Sequence, residues 1–469
     1  MKLKILTAIS ASAILFLSGC DKLKDFDNTN VNPNGTTVPS AAALLTNVEA
    51  GVGSYGFNTR GGLYCQYFSE TQYTDVSLYS IPQIDFVGTY TGSLADLQNI
   101  INLNVNSSQT AVAKILKSYI LWIITDQFGS VPYSQALTGG LTAPGYDKQE
   151  EIYKGLISDL TTAVGMFDGN LITGDIIFNG NQDRWKKTAN SIRMLMAMRL
   201  SNVYPGAGDY AATEFKAALS AGVITDNTDN FMVKYPGGNF QSPIFAVYNG
   251  REDYGESETM TNITSGLSDP RQQAFGGISL MTTGSSSTGV PYGLKRDDVV
   301  AFTTANPGWA RILEGSYRTD ASSIYLVTAA QTALARAEAA QRGWTNETAS
   351  SLYQQGITAS FVQWGIGIPS ESYLGQSKVS LAAGDALYKI QLQRYIATYP
   401  DGMQGWSEWR RTGVPELAPA PDATNGGIIP TRYRYGQTEN STNPGGIADG
   451  IKDLDPKQDV ETAHVWWDK

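Results

Sequence analysis

Two long regions of the chain carry apolar residues at the three- and four-residue spacing of amphipathic helices. Ile115, Tyr119 and Trp122 form one such stripe, and similar stripes recur along residues 40–222 and again along residues 322–412. The stripes fall into pairs of roughly 34–45 residues, a period typical of stacked helical hairpins. The sequence therefore predicts a mainly all-α fold, with a scaffold of tetratricopeptide-like hairpins in these two regions.

The region between the two helical parts, residues 225–320, has a different composition. Gly, Ser, Thr, Asn and Pro dominate it, and only short runs such as residues 231–233 and 244–247 have the character of strands. Because loops on a rigid scaffold commonly carry function, we interpret this region as a loop-rich insertion with small strands that forms a functional face. After residue 412 the helical pattern stops, and we predict coil over residues 413–469.

The first residues follow the pattern of a secretory signal. Lys2 and Lys4 precede an apolar run over residues 5–17, which has the length of a signal peptide core and is too short to cross a membrane as a helix. Small residues then lead to Cys20, as in bacterial lipoprotein signals. An ordinary signal peptide with an incidental cysteine is the alternative.

The lipoprotein interpretation fixes the predicted domain organisation. Residues 1–19 are the signal peptide, and Cys20 becomes the N-terminus and carries a diacylglycerol and an acyl chain, which hold a protein on a membrane without spanning it. The polar residues 20–35 form a tether, and residues 36–469 form a single domain.

Composition excludes several function classes. The net charge is -10 and no basic cluster follows the signal, so nucleic acid is a poor partner. The one histidine, His464, rules out histidine-rich zinc sites and the usual catalytic triads. With Cys20 lipidated, Cys65 has no partner for a disulfide, and we predict a small buried apolar role for it. No cofactor or metal is predicted.

Several stretches, taken in order, carry a resemblance that covers nearly the whole chain. They are residues 30–34 behind the lipoprotein signal, 126–134, 190–199, 337–344, 393–397, 406–413 and 465–468. Each is weak alone, but the ordered set resembles the SusD/RagB family of outer-membrane lipoproteins, in its SusD-like branch. The chain differs from the more usual family residues at positions 391–394 and 328–330. Neither difference affects a residue with a chemical role.

The resemblance implies a fold, a partner and a function. The fold is an all-α core of four tetratricopeptide-like hairpins with an irregular ligand-binding face. The partner is a SusC-like TonB-dependent transporter in the outer membrane, over which the lipoprotein sits at the cell surface. The family captures nutrient oligosaccharides, or peptides in the RagB branch, and delivers them to the transporter without catalysis.

Candidate ligand-binding residues follow from the chemistry of sugars. Sugar C–H groups stack on aromatic rings, while sugar hydroxyls bond to amide, carboxylate and guanidinium groups. Two loop regions, residues 55–90 and 292–317, combine these side-chain types. The candidates are Tyr73, Asp75 and Tyr79 in the first region and Tyr292, Asn306, Trp309, Arg311 and Tyr317 in the second. Trp309 is the foremost candidate because it lies in a Pro-Gly loop, but core packing is the alternative for every aromatic residue.

Two other function classes stay open at this point. A surface glycoside hydrolase needs only two carboxylates and no histidine, and a helical scaffold needs no ligand at all. Among the remaining motifs, Asp453, Asp455 and Asp459 suggest either a calcium site or a solvated acidic loop, and we favour the loop. For Trp406 and Arg410 we predict structural packing.

Overall fold

The predicted apolar stripes correspond to helices in a computed structural model, which describes residues 40–139, 143–280 and 282–468. The predicted signal, the tether and the lipidation site Cys20 lie outside the described residues. The chain from Ala41 onward forms one compact unit.

Thirteen of the described helices have eight residues or more. They are α1 (Ala41–Gly56), α2 (Ala95–Leu103), α3 (Ser107–Phe128), α4 (Gln149–Gly165), α5 (Gln182–Arg199), α6 (Tyr210–Ala221), α7 (Glu258–Gly266), α8 (Arg296–Ala305), α9 (Ala329–Gln341), α10 (Ala349–Gln363), α11 (Ala386–Thr398), α12 (Gly402–Thr412) and α13 (Pro444–Ile451).

Short helices and helical turns connect these elements. They occupy Thr59–Tyr64, Val87–Thr89, Tyr90–Leu94, Asn227–Asp229, Pro243–Tyr248, Gln272–Phe275, Gly315–Tyr317, Glu371–Gly375, Leu381–Ala383 and Gln437–Thr442.

Consecutive helices pack against each other, as the repeat spacing predicts. α3 packs on α4, α5 on α6, α9 on α10 and α11 on α12. Contacts of α4 with α5 and of α9 with α11 stack these pairs, and α9 also contacts α5, which joins the helices before the insertion to those after it. The prediction of a mainly α-helical fold with tetratricopeptide-like hairpins is confirmed.

The α9–α10 pair shows how the sequence sets this packing. Thr328 and Gln331 form a capping box that starts α9, each side chain bonding to the other's backbone N–H. The alanine side chains of α9 then project little from the helix axis. Gly356 of α10 lies so close that an added Cβ would stand 2.5 Å from Leu334 Cγ. Small residues on both helices therefore allow this close approach.

The described strands form four two-stranded sheets. β1 (Phe68–Glu70) pairs antiparallel with β4 (Tyr254–Glu256), β2 (Gln83–Ile84) parallel with β8 (Arg434–Tyr435), β3 (Phe231–Val233) antiparallel with β7 (Ile324–Val327), and β5 (Gly276–Gly277) antiparallel with β6 (Arg311–Ile312). The β3–β7 pair joins the start and the end of the loop-rich insertion. The insertion is thereby closed at its base.

A buried ion-pair network connects α9, α11 and α12. Both oxygens of Glu338 accept hydrogen bonds from Arg411, at 2.7 and 2.8 Å. Glu408 accepts from Arg394 at 2.9 Å and from Arg411 at 2.8 Å. Buried charges are tolerated when they are paired and hydrogen-bonded, so this network holds the three helices in one relative position.

The packing predicted around Trp406 and Cys65 is confirmed. The Arg410 guanidinium carbon lies 4.0 Å from the Trp406 ring centroid, and Trp406 is fully buried. Cys65 is also fully buried, and its burial raises the pKa of the thiol well above the ordinary value. Both residues therefore belong to the core.

Two sequence expectations need correction. The predicted coil over residues 413–469 contains the helix Gln437–Thr442, α13 and strand β8. The insertion also holds more helix than expected, because α7 and α8 lie within it. These helices are short and rich in Gly, Thr and Asp, so their apolar stripes are too brief to stand out in the sequence.

None of the helices in the described ranges is both long and apolar enough to cross a membrane. Within the same ranges, no three or more His, Cys, Asp or Glu side chains are grouped as metal ligands. Asp453 instead accepts a hydrogen bond from Ser130, and Asp459 accepts one from Arg432. These carboxylates are thus engaged by protein donors.

Candidate functional site

Strand β4 and the residues next to it bring together loops that are far apart in the sequence. Just after β1, the backbone N–H of Thr71 donates to the carbonyl of Asp253 at 2.9 Å. Within β4, the N–H of Glu256 donates to the carbonyl of Ala310 at 2.8 Å. The first and the second predicted loop region therefore meet at β4.

A polar cleft of about 260 Å³ lies where these loops meet. Most of its lining side chains carry hydroxyl, amide or charged groups. The lining residues are Thr71, Gln72, Glu252, Thr303, Thr304, Pro307, Trp309 and Arg311. We call this feature the polar cleft. It contains Trp309 and Arg311 from the predicted set, and also Glu252, which sequence reasoning missed.

Arg311 organises the wall of the polar cleft. Its Nε and Nη2 atoms each lie 2.8 Å from Glu252 Oε1. Its Nη1 atom donates to the backbone carbonyls of Ile278, Pro307 and Trp309 at 3.0, 3.0 and 2.7 Å. Five polar contacts thus fix one guanidinium, and the charge of Glu252 is balanced by that of Arg311.

Trp309 supports the cleft from below. Its side chain is only 4% exposed and packs with Val290 and Val299 in a small apolar cluster. One face of the indole is covered by Arg311, whose guanidinium carbon lies 3.6 Å from the ring centroid. An open face for stacking on a sugar is therefore not available at Trp309 in this arrangement, and core packing, the alternative named above, describes its surroundings.

Tyr73 is the exposed aromatic residue among the candidates. Its side chain is 63% exposed, and the guanidinium of Arg251 lies 5.6 Å from its ring centroid. The neighbouring Gln72 lines the polar cleft and accepts a 3.4 Å hydrogen bond from Arg296. Asp75, two residues further on, is also exposed. The segment after β1 therefore presents a free aromatic face, an amide and a carboxylate beside the cleft.

The structure buries Tyr79 and Tyr292. Their hydroxyls lie 3.5 Å apart, and the backbone N–H of Ala420 donates to the Tyr79 hydroxyl at 3.0 Å. Burial raises the pKa of both phenols. These two tyrosines anchor the far end of the first loop.

The last two candidates make structural contacts of their own. The Asn306 side-chain amide donates to the Phe302 carbonyl at 2.9 Å and so closes the C-terminal end of α8. The Tyr317 hydroxyl donates to the Trp364 carbonyl at 2.5 Å, and the two rings are in edge contact. Both side chains are half-buried.

Two buried carboxyl groups lie in the strand pair below the cleft. Burial raises the pKa of Glu70 in β1 to about 7, against hydrogen bonds from Ser77 that lower it. Burial likewise raises the pKa of Glu256 in β4 to about 8, although Gln272 donates to it at 2.6 Å. Such shifts are common near functional sites, and nothing in the local sequence indicates them.

Comparison of this chain with known proteins identifies a matching protein family. Residues 33–436 match the model of a SusD-like family described as starch-binding and associating with the outer membrane. No curated protein matches the chain.

Solved structures share the fold over almost the full length. A chitin-binding SusD homologue from Flavobacterium johnsoniae is 26% identical, with a TM-score of 0.78 over 91% of this chain and 98% of that chain. Another chitin-binding protein is 27% identical, with a TM-score of 0.78 over 92% of this chain and 100% of that one. A SusD homologue from Bacteroides ovatus, 24% identical, has a TM-score of 0.77 over 92% of this chain and 99% of its own. Because the family match extends over most of its residues, this chain belongs to the SusD-like family.

Proposed function

We propose that this protein binds a glycan at the polar cleft and the adjoining Tyr73, and that it does so as an outer-membrane-associated capture protein. The observation that carries the proposal is an exposed tyrosine beside a cleft lined by hydroxyl and amide groups, in a chain of this family. The family description as starch-binding and the chitin-binding homologue of 26% identity support a glycan as the ligand.

The geometry indicates how a sugar chain would be held. The open face of Tyr73 stacks on sugar C–H groups, while Gln72 and the threonines of the cleft bond to hydroxyls. The cleft measures about 260 Å³, which is below the ~300–1,000 Å³ of typical ligand pockets. A long glycan would therefore place only part of its length in the cleft. Since Arg311 neutralises Glu252, an uncharged sugar fits this wall.

Delivery is the second part of the proposal. The lipid on Cys20 holds the protein at the outer face of the outer membrane, and the tether over residues 20–35 lets the domain move above a SusC-like TonB-dependent transporter. The bound oligosaccharide passes unchanged to that transporter. The protein is then a binding protein and not an enzyme.

A calorimetric titration tests the proposal directly. Chitin oligosaccharides, malto-oligosaccharides and peptides are titrated in turn, and the mixtures are then analysed for products. We expect saturable binding of a glycan that is recovered intact. Binding of peptides alone would move the protein to the peptide-binding branch, and a shortened glycan would bring back the hydrolase.

A pair of tyrosine variants locates the site. Tyr73→Ala is expected to weaken glycan binding about tenfold, since covering one face of an aromatic ring removes apolar surface from water and contributes on the order of 1–2 kcal/mol. Tyr388, on α11, is 47% exposed and does not line the polar cleft, so Tyr388→Ala is the matched control. Equal effects of the two substitutions would place the ligand elsewhere.

A further inference from the structure

We propose that Glu70 is a positioning residue for ligand binding. Through its hydrogen bonds to Ser77, it holds the loop of residues 71–78, with the exposed Tyr73, in the conformation that binds the ligand. The inference rests on the proposed glycan function of the polar cleft. Glu70 is the last residue of β1, opposite Tyr254 of β4, and its side chain is 5% exposed. It does not line the cleft, so its role is exerted on the loop.

The contacts between Glu70 and Ser77 are short and buried. Glu70 Oε2 accepts one hydrogen bond from the backbone N–H of Ser77 and another from its hydroxyl, both at 2.8 Å. Ser77 is almost fully buried. One carboxyl group therefore joins the end of β1 to the loop seven residues later, across the base of the exposed segment.

Other hydrogen bonds to the rest of the molecule lie at the ends of this loop and at Gln72, which accepts from Arg296 at 3.4 Å. Thr71 is bonded to β4 through Asp253, as described above, and the carbonyl of Leu78 accepts from the N–H and the hydroxyl of Thr424, both at 2.9 Å. Between these points lie residues 72–75, of which Tyr73 and Asp75 are exposed and Thr74 is buried. Glu70 is the side chain that closes the segment on itself.

The protonation state of Glu70 provides a readout that a merely structural contact would not give. Burial raises the pKa of Glu70 from the ordinary 4.5 to about 7 in the closed loop. When the loop opens, water reaches the carboxyl and its pKa returns toward the ordinary value. The closed loop thus binds the proton more tightly than the open loop, so protonation favours closure. This stabilisation is complete below pH 4.5 and is lost as the pH rises through about 7.

Neighbouring charged and titratable groups act on the same carboxyl. The Arg60 charge lowers the pKa of Glu70, and Asp75 raises it. The phenols of Tyr254 and Tyr292 also face it, and their own pKa values are raised by burial, so they are neutral below pH 9. Glu256, in the same strand pair, titrates near pH 8 and must be separated by its own variant.

Hydrogen exchange of the full-length protein without ligand tests the positioning role. The amides of Ser77, Leu78 and Ser80 are hydrogen-bonded within the loop, to Glu70, Thr74 and Asp75. After correction for intrinsic exchange, we expect their protection to fall by up to about 40-fold between pH 5 and pH 7. In Glu70→Gln, whose amide oxygen can still accept from Ser77, protection is expected to stay constant. Glu256→Gln is the control and is expected to behave as the wild type in this range.

Titration with chitin hexasaccharide then links the loop to binding. At pH 6, Glu70→Ala is expected to raise the Kd about tenfold, because the buried Ser77 N–H loses its acceptor and the Ser77 hydroxyl keeps only the Thr74 carbonyl at 3.2 Å. In contrast, the Kd of Glu70→Gln stays within about twofold. A pH-independent protection in the wild type, or a Glu70→Ala protein that binds as the wild type does, would overturn the inference. If the wild type binds no glycan while protection follows the expected pH profile, the proposed function fails and the loop-positioning role stands.

Discussion

The guanidinium carbon of Arg311 lies 3.6 Å from the ring centroid of Trp309. The same guanidinium donates to three backbone carbonyls and pairs with Glu252. Two residues that look like ligand contacts in the sequence therefore build the wall and the floor of the polar cleft. Their neighbour Tyr73 is left to face the solvent.

Replacing Arg311 by lysine is expected to lower the free energy of unfolding by about 2 kcal/mol. An ammonium group cannot cover the indole and reach three carbonyls and a carboxylate together, so buried acceptors lose their donor. Urea denaturation measures the change. Arg251→Lys, on an exposed side chain in the same region, is the control and is expected to shift stability by less than about 0.5 kcal/mol. Similar shifts for the two variants would contradict the role assigned to Arg311.

Substitution of Trp309 is expected to lower stability, whereas substitution of Tyr73 is expected to lower glycan affinity. Trp309→Ala removes a buried ring and should lower the free energy of unfolding by about 3–5 kcal/mol. Tyr73→Ala removes an exposed ring and should leave stability within about 0.5 kcal/mol while glycan affinity falls. Thermal unfolding and calorimetry on the same preparations separate the two effects. A stable Trp309→Ala protein with impaired binding would instead restore Trp309 as a ligand contact.

A close contact between backbones makes one glycine indispensable. A Cβ on Gly402 would stand 2.2 Å from the backbone nitrogen of Gly62 and 2.3 Å from the carbonyl oxygen of Asn58. Backbone atoms cannot move aside as a flexible side chain does, so Gly402→Ala is expected to lower stability by about 3 kcal/mol or more. Gly51, in α1, has open space around it, and Gly51→Ala is expected to raise stability by about 0.5–1 kcal/mol. Urea denaturation of both variants checks the difference in sign.

The buried ion-pair network predicts an acid sensitivity. The charges of Arg394 and Arg411 lower the pKa of Glu408 to about 2, against the effect of burial. A lowered carboxyl pKa contributes stability above about pH 4.5 that is lost as the pH falls toward 2. Glu408→Gln should therefore be less stable than the wild type at pH 7, and the difference should shrink by roughly 3 kcal/mol on going to pH 2. The free energy of unfolding of both proteins is measured from pH 7 to pH 2. A difference between wild type and Glu408→Gln that stays constant over this range would show that Glu408 is not the titrating group.

The helical scaffold could be predicted from the sequence because the apolar spacing of three and four residues recurs over several turns in each long helix. In α3, for example, Ile115, Tyr119 and Trp122 all point to one buried face, and every one is buried in the structure. The short helices of the insertion and the C-terminal part offer fewer than three turns of such a pattern. They were missed for that reason.

The cleft could be located only to the level of two loop regions. An aromatic residue in a loop has the same sequence signal whether it faces the core, as Trp309 does, or the solvent, as Tyr73 does. Glu252 meets Arg311 across 59 positions, and Glu70 meets Ser77 through a turn without a recognisable motif. Contacts of this kind depend on the folded backbone, and a single sequence does not encode them locally.

The β3–β7 pair, which joins Phe231–Val233 to Ile324–Val327, holds both ends of the insertion at one place on the scaffold. Because this pair fixes both ends of the insertion, the chain between them can lengthen or change with only a slowly growing entropy of loop closure. The buried part of the insertion is more constrained, because the Arg271 guanidinium donates to Ser360 of α10 and to Gln393 of α11. Natural variation, or deliberate exchange with a relative, can thus alter the exposed loops between these strands as long as such buried contacts are kept.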